Sequence, residues 1–350
     1  MKIFVNARFL TQPISGVQRY GIECSRQIKK LYQNVIFIAP HNILYKDLAN
    51  ELEVKITGFN KGHLWEQVDL PLFMAKQGHA PLINLANTAP LLYSNNYVTI
   101  HDLAFYHHPE WNSKAFSAWY NILIPRLAYG SRHIFTVSQT IKDEIIKCYD
   151  VPSSKISITY NGISQAMLDA ASEKKPAKEK IILSVGTFNR RKNHQHLIAA
   201  FLDSDIKDQY QLVIIGDKNK VFSESSINEQ ALLNSNIKIY PGLSEEELIS
   251  MYQRSEVVVS LSLYEGFGIP LLEGLYIDCR IICSDIPVYQ ELYGNYAAFC
   301  DPNDLKSIVA VLNANAQSSN TTMMHNNPGG VFDLYNYKRS AETILENLHV

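Results

Sequence analysis

The clearest signal of the fold lies at residues 257–273, Val257-Val-Val-Ser-Leu-Ser-Leu-Tyr-Glu-Gly-Phe-Gly-Ile-Pro-Leu-Leu-Glu273. The Val-rich run at its start is typical of a buried strand, and Pro270 is typical of the first turn of a helix. Between them, the Gly-Phe-Gly sequence at 266–268 allows a tight turn and a close approach of the backbone to a ligand. The stretch therefore predicts a strand, a loop and a helix, with the carboxylates of Glu265 and Glu273 beside the loop.

The same alternation of short apolar runs and helical patterns extends over nearly the whole chain, which predicts parallel sheets with helices on both faces. The predicted strands are 2–5, 35–39, 52–56, 82–85, 97–100, 133–137, 156–159, 181–186, 212–216, 237–240, 257–261 and 280–283. The predicted helices include 16–32, 64–77, 114–130, 139–148, 193–202, 304–314 and 336–348, and a capping box of Ser244 and Glu247 opens a helix ending near Arg254. We read residues 315–330 as a loop.

A charged segment at 171–180 lacks any apolar period and is typical of an interdomain linker. We therefore predict two doubly wound, Rossmann-like α/β domains, at 1–170 and 181–332, followed by a C-terminal segment at 333–350. Ligands of open parallel sheets bind beyond the carboxyl ends of the strands. Two such domains in tandem would place their loops around a common cleft.

Composition excludes several classes of protein. The 350 residues carry a formal net charge of −2, so the chain has no basic surface suited to nucleic acid. No apolar run reaches the ~20 residues that span a bilayer, and the N-terminus reads as a first strand rather than a signal peptide. We expect a cytoplasmic protein, at most peripheral on the membrane. Its scattered cysteines suit free thiols in a reducing compartment, and they are Cys24, Cys148, Cys279, Cys283 and Cys300.

A second candidate site is the turn Val185-Gly-Thr-Phe-Asn-Arg-Arg-Lys-Asn193, which follows a predicted strand. Three consecutive cations precede a helix that Asn193 can cap, and cations beside a helix N-terminus suit a diphosphate. The alternative reading is a solvated basic turn, which is the usual meaning of a short run of charge.

Two further positions follow predicted strands. Gly16 opens a long helix after the first strand, where a glycine lets a phosphate approach, although a plain helix start is the alternative. His101 ends the strand at 97–100, and a histidine there can bond a hydroxyl or stabilise developing charge. We expect Asp102 to orient the His101 ring.

The spacing of Glu265 and Glu273 resembles the Glu-x7-Glu signature of retaining GT-B glycosyltransferases of family 4, also called glycosyl transferases group 1. The resemblance covers nearly the whole chain, including the Arg-Lys-Asn sequence at 191–193. It implies that Glu265 contacts the donor sugar and Glu273 the nucleotide ribose. It also implies that the last helix packs back on the N-terminal domain.

The resemblance implies a transferase that moves a hexose from a nucleotide-sugar to a saccharide or lipid-linked acceptor in cell-surface polysaccharide biosynthesis, with retention and without metal. GDP-mannose is the preferred donor, and UDP-glucose, UDP-galactose and dTDP-rhamnose are alternatives. The implied catalytic residues are His101, Glu265, Arg191 and Lys192. The implied donor-binding residues are Gly16, Gly186, Thr187, Arg190, Arg191, Lys192, Glu265, Gly266, Phe267, Gly268, Ile269 and Glu273. Many family members carry Arg at the position of Thr187, so one cationic contact is either absent here or supplied by Arg190. The alternative function is a catalytically silent scaffold that binds sugar nucleotides.

Two weaker signals favour structural readings. Asp203-Ser204-Asp205 mimics a metal-binding Asp-x-Asp but falls in a polar turn after a helix. Arg19, Arg26 and Lys30 share one face of the first helix and could meet anionic lipid, although a solvated face is the simpler interpretation.

Overall fold

The computed structural model describes residues 1–171, 176–216, 235–317 and 329–349. It divides into two compact units, Met1–Gly162 with Leu334–Val350, and Ile163–Asp333. Of the predicted linker 171–180, residues 172–175 lie outside the described residues, and Glu179 already belongs to a strand. Most of the predicted loop at 315–330 also lies outside them.

The first unit contains a seven-stranded parallel sheet in the order β3-β2-β1-β4-β5-β6-β7. Its strands are β1 (Ile3–Asn6), β2 (Val35–Ala39), β3 (Lys55–Ile56), β4 (Leu82–Asn84), β5 (Asn96–Thr99), β6 (His133–Thr136) and β7 (Ile156–Ile158). Its helices are α1 (Gly16–Leu31), α2 (Lys46–Glu51), α3 (Gly62–Leu64), α4 (Leu70–Ala75), α5 (Ala104–His107), α6 (Lys114–Gly130) and α7 (Gln139–Tyr149). A π-helical turn, Trp65–Asp69, separates α3 from α4.

The second unit contains a six-stranded parallel sheet in the order β10-β9-β8-β11-β12-β13. Its strands are β8 (Glu179–Val185), β9 (Gln211–Ile215), β10 (Ile237–Tyr240), β11 (Ser255–Ser260), β12 (Arg280–Ser284) and β13 (Ala297–Cys300). Its helices are α8 (Gln165–Ala171), α9 (His194–Asp203), α10 (Glu245–Arg254), α11 (Ile269–Tyr276), α12 (Pro287–Tyr293), α13 (Leu305–Gln317) and α14 (Gly329–Leu334). The last helix of the chain, α15 (Tyr337–Asn347), belongs to the first unit and packs on α1.

These orders confirm the prediction of two doubly wound α/β units. In each sheet the strand order reverses beside the strand that comes first in its unit, between β1 and β4 and between β8 and β11. Strands buried on both faces read as continuous apolar runs, and Val257, Val258 and Val259 are at most 1% exposed. The capping box of α10 is also confirmed, because the Ser244 N–H donates to Glu247 Oε2 at 2.8 Å.

Some elements escaped prediction. Strand β13, with the sequence Ala-Ala-Phe-Cys, lacks β-branched residues and is paired to β12 by tertiary context. Helix α8 is short, and the predicted strand 52–56 is reduced to β3 at the sheet edge. All five cysteines are free, and four of them are buried.

Candidate active site

The strongest sequence motifs meet at the point where the strand order of the second sheet reverses. Strands β8 and β11 are neighbours and run parallel, so the turns that follow them emerge at the same edge. The Leu263 N–H donates to the Arg191 carbonyl oxygen at 2.8 Å, which ties the two turns together. The fold therefore places the turn at 185–193 (the basic turn) beside the loop at 261–268 (the Glu265 loop).

The central contact of the site is an ion pair between Lys192 and Glu265. The Lys192 Nζ lies 2.6 Å from Glu265 Oε1, and Arg191 Nη1 lies 3.7 Å from Oε2. Burial raises the pKa of Glu265, but Arg191, Lys192 and Ser262 outweigh that effect and lower it to about 2. With one ionised carboxylate facing two cations, the cluster keeps one net positive charge, which suits a phosphate-bearing ligand.

The basic turn is shaped by its own side chains. Asn189 Oδ1 accepts from the Lys192 N–H at 3.0 Å and caps the 3-10 turn that contains Arg190, Arg191 and Lys192. Asn193 is the N-cap residue of α9, as predicted, but its side chain forms no capping hydrogen bond. Asn193 has a φ of 56° and donates its amide to the Pro302 carbonyl oxygen at 2.8 Å.

Gly186 and Gly268 fit this region for steric reasons. A Cβ on Gly186 would lie 3.0 Å from Lys192 Cε, so the glycine leaves room for the Lys192 side chain to pack against the turn. Gly268 has a φ of +93°, and a Cβ there would lie 2.5 Å from Tyr289 Cε1. The Tyr293 hydroxyl also donates to the Gly268 carbonyl oxygen at 3.0 Å.

Glu273 and Phe267 are both buried. Glu273, on α11, is 5% exposed, and Phe267 packs edge-on against Tyr293 at 6.4 Å. Gly266 is buried and Ile269 is half-buried, while Thr187 and Arg190 are exposed at the rim of the basic turn. The structure thus brings the donor-binding residues predicted in this unit to one edge of its sheet.

Sequence reasoning missed the residues that support the glycine loop. Tyr289 bonds to Ser260 Oγ at 2.9 Å, and Tyr293 holds Gly268. Ser262 contributes to the low pKa of Glu265. The available signal was the Tyr-x3-Tyr spacing of α12, which places both rings on one helix face and reads equally well as core.

The remaining predicted site residues, His101 and Gly16, belong to the first unit. His101 follows β5 and is 5% exposed, and its Nε2 lies 2.9 Å from the Leu85 carbonyl oxygen. Because a carbonyl only accepts, Nε2 carries the proton and a neutral ring leaves Nδ1 as an acceptor. Burial lowers the pKa of His101, so the ring is neutral near pH 7.

The His101 backbone N–H is held by Asn87 Oδ1 at 2.7 Å, whereas Asp102 Oδ1 accepts from the Ala104 N–H. The ring hydrogen bond thus runs to Leu85 rather than to Asp102. Gly16 is the exposed first residue of α1, and the adjacent Ser15 N–H donates to Gln18 Oε1.

The weaker sequence signals receive structural explanations. Asp205 is bound by Asn313, and Arg26 is paired with Glu23 and Glu51. No three His, Cys, Asp or Glu side chains of the described ranges gather as metal ligands. Within those ranges, no helix combines the length and the apolar character needed to cross a bilayer.

Comparison with solved structures identifies the class of the fold. HepE of Anabaena, solved with UDP and glucose, superposes with a TM-score of 0.74 at 15% identity, covering 100% of this chain and 99% of HepE. WaaG, a glycosyltransferase of lipopolysaccharide biosynthesis, gives a TM-score of 0.71 at 11% identity, covering 98% and 99%. The fold is therefore that of GT-B glycosyltransferases.

Comparison with sequences identifies the family. The model described as glycosyl transferases group 1 matches residues 168–326, and the model described as glycosyltransferase family 4 matches residues 14–166. The O-antigen chain mannosyltransferase RfbU of Salmonella typhimurium is 30% identical over 256 residues, covering 72% of this chain and 69% of RfbU. The O-antigen chain mannosyltransferase B of Escherichia coli is 26% identical over 225 residues, covering 61% and 58%. This chain belongs to the glycosyl transferases group 1 family and is a glycosyltransferase.

Proposed function

We propose that this chain is a retaining, metal-independent mannosyltransferase that uses GDP-mannose to extend a saccharide or lipid-linked saccharide in cell-surface polysaccharide biosynthesis. The preference for mannose is supported by the names of the relatives, two of which are O-antigen chain mannosyltransferases. The observation that carries the proposal is the contact of the buried Glu265 with the half-buried Lys192 and Arg191, where the second sheet reverses its strand order.

In the proposed reaction, the bond from the anomeric carbon to the diphosphate oxygen breaks while a bond to an acceptor hydroxyl oxygen forms. The nucleoside diphosphate leaves with the electron pair, and the hydroxyl proton passes to it. Lys192 and Arg191 stabilise the negative charge that develops on the leaving group. Such a preorganised cation or donor contributes about 3 kcal/mol to the transition state.

Glu265 and Glu273 serve different ends of the donor in this proposal. Glu265 is held ionised by two cations, so it accepts hydrogen bonds from sugar hydroxyls, while Glu273 binds the ribose hydroxyls. The arrival of a diphosphate would compete with Glu265 for Lys192, which couples donor binding to a change in this 2.6 Å ion pair. His101 remains a proposed catalytic residue of the first unit, because its ring is neutral, donates through Nε2 and leaves Nδ1 to accept from a sugar hydroxyl.

Donor binding tests the proposal directly. Thermal unfolding is measured with GDP-, UDP- and dTDP-sugars in EDTA, for the wild type, Glu273→Ala and the exposed control Glu246→Ala. A donor at 100 times its Kd stabilises the folded state by about 2.7 kcal/mol. We expect a shift with GDP-mannose that is lost only in Glu273→Ala.

A shift with a different nucleotide would replace GDP-mannose as the donor. The absence of any shift would remove the donor site and favour the silent scaffold. If a shift appeared only after Mg²⁺ was added, metal independence would be wrong.

Transfer itself is tested with Lys192→Met and the exposed control Lys238→Met. We expect Lys192→Met to lower kcat about 100-fold while the control retains full activity.

Retention is read from the anomeric coupling constant of the product, which should show the configuration of the donor. A product of opposite configuration would exclude the retaining mechanism.

A further inference from the structure

The first sheet carries a buried polar cluster where its own strand order reverses. Asn6 is the last residue of β1, and Asn84 is the last residue of β4, its parallel neighbour. Asn6 Nδ2 donates to Asn84 Oδ1 and to Glu66 Oε1, both at 3.0 Å. Polar side chains at such a point are the usual setting of a ligand site in a doubly wound sheet.

Glu66 is the centre of this cluster and is only 1% exposed. It lies in the π-helical turn between α3 and α4, a kind of irregularity that is common at functional sites. Its Oε1 accepts three hydrogen bonds, from Asn6, from Arg8 Nε at 3.0 Å and from Thr88 Oγ1 at 2.9 Å. Burial raises the pKa of Glu66, but Arg8 and His63 outweigh it and keep the carboxyl ionised.

The second oxygen of Glu66 is used differently. Among the described residues, Glu66 Oε2 accepts no hydrogen bond, and His63 Nδ1 stands 3.5 Å away, which is too long for a strong one. His63 Nδ1 and the indole Nε1 of Trp119 are also buried without a hydrogen-bond partner in the described chain. Each unmade bond of this kind costs about 1–3 kcal/mol. The Trp119 N–H and the long contact between His63 and Glu66 therefore indicate a ligand that would satisfy these atoms.

Aromatic rings stand beside these three atoms. The His63 ring centroid lies 6.0 Å from that of Trp119 and 6.2 Å from that of Tyr120, in edge-on arrangements. Both Trp119 and Tyr120 are half-buried, so each ring keeps an accessible part. Burial raises the pKa of Tyr120 to about 12, and its interactions with Arg8 and Glu66 place it at the same cluster.

The charges of the cluster decide which ligand it fits. The Arg8 guanidinium is neutralised by Glu66, and Oε2 belongs to the same carboxylate, which repels a phosphate or another anion. A carboxylate oxygen accepts from a hydroxyl, ring nitrogens can donate to a hydroxyl, and an aromatic face covers apolar C–H groups. A neutral sugar ring presents all three of these features.

We propose that Glu66 Oε2, His63 and Trp119 form a subsite that binds the hydroxyl groups of a neutral sugar ring. The identification of the bound ring as the terminal sugar of the acceptor rests on the proposed transferase function. In that role Glu66 is a positioning residue, which orients the acceptor through a hydroxyl.

The probes are the methyl glycosides of mannose, galactose, rhamnose and N-acetylglucosamine, measured by saturation-transfer NMR on the full chain. Trp119→Phe keeps a ring but removes the N–H, and His63→Phe keeps a ring but removes both nitrogens. The matched controls are Trp111→Phe and His108→Phe, because these two rings stack on each other at 3.8 Å outside the cluster. Glu66→Gln replaces the accepting oxygen by a donor.

We expect at least one glycoside to bind the wild type, and to bind about fivefold more weakly in each of the two cluster variants, the loss of one neutral hydrogen bond. Glu66→Gln should weaken binding about tenfold or more, since a charged acceptor is lost. The control variants should bind as the wild type does. If Glu66→Gln does not fold, the two aromatic variants decide the question.

The proposal is overturned if none of the four glycosides binds the wild type, or if the cluster variants bind as well as the controls. The shift of the thermal unfolding midpoint with nucleotide-sugars, recorded on the same samples, separates this outcome from a failure of the proposed function. Glycoside binding without any nucleotide shift would keep the sugar subsite and remove the transferase assignment. A nucleotide shift without glycoside binding would do the reverse.

Discussion

At the scale of single residues, Gly268 shows how the conformation of the Glu265 loop depends on the absence of one Cβ. Its φ of +93° is in the region that L-residues rarely adopt, and Tyr289 occupies the space where a side chain would begin. Tyr293 fixes the same residue through its carbonyl oxygen. The backbone between Glu265 and α11 is thereby held in one conformation.

Gly268→Ala should therefore destabilise the second unit by about 2 kcal/mol, through backbone strain and the clash with Tyr289. Urea unfolding measures the free energy. Gly242→Ala is the control, because nothing lies within 4 Å of a Cβ built there, and its free energy of unfolding should change by less than about 0.5 kcal/mol. Equal effects of the two substitutions would show that the loop is not constrained as described.

At the scale of elements, the first turn of α9 carries a buried titratable group. His194 is 4% exposed, its ring lies 4.7 Å from that of Phe188, and no described residue forms a hydrogen bond with its Nδ1. Burial, together with the charge of Lys192, lowers the pKa of His194 to about 3. Between that value and the ordinary pKa near 6.5, the unfolded chain binds a proton that the folded chain does not.

Stability should consequently fall as the pH drops below about 6.5. Each fully titrating group of this kind removes about 1.4 kcal/mol per pH unit. In His194→Phe, which keeps a ring against Phe188, the loss between pH 7 and pH 5.5 should be smaller by about 1 kcal/mol. The measurement is the free energy of unfolding at both pH values.

In His194→Phe, the dependence of the free energy of unfolding on pH (the slope) should be reduced but not abolished. The reason is that burial, together with the charges of Lys142 and Lys155, also lowers the pKa of His133 to about 4. His41→Asn, at an exposed position, serves as the control and should leave the slope unchanged. A His194→Phe slope equal to that of the wild type would contradict the assignment of a neutral, buried histidine.

At the scale of the whole molecule, the chain leaves the first unit after Gly162 and returns to it at Leu334. Helix α15 packs on α1, with Ala341 and Ile344 fully buried, and Ser340 Oγ donates to the Tyr160 carbonyl oxygen at 2.6 Å. The last residues of the chain are thus part of the folding unit that contains the first ones.

Ile344→Ala should destabilise the first unit by about 3 kcal/mol, since it removes a buried side chain and leaves a cavity. Amide hydrogen exchange of α1 should accelerate accordingly, while the strands of the second unit keep their protection. The exposed Glu346→Ala is the control and should leave both units unchanged. Faster exchange confined to the second unit would contradict the assignment of α15.

Sequence reasoning predicted most elements because their signals are local. Continuous runs such as Val257-Val-Val259 specify buried strands, and the capping box of Ser244 and Glu247 specifies the start of α10. Prediction from the sequence was less accurate where tertiary contacts override the intrinsic conformational preference of a residue. Strand β13 pairs with β12 despite its alanines. Asn193 is the N-cap residue of α9, but it adopts a left-handed conformation and its side chain bonds Pro302 rather than a helix N–H.

The amino-acid sequence alone was enough to predict two doubly wound units and the charged residues that follow strands β8 and β11. Both properties depend on periodicity and on spacing along the chain. Which side chains meet became visible only in the folded chain. The pairing of Lys192 with Glu265, the support of Gly268 by Tyr289, and the cluster around Glu66 join residues far apart in sequence. Such contacts depend on strand order and on packing between elements, which no local pattern specifies.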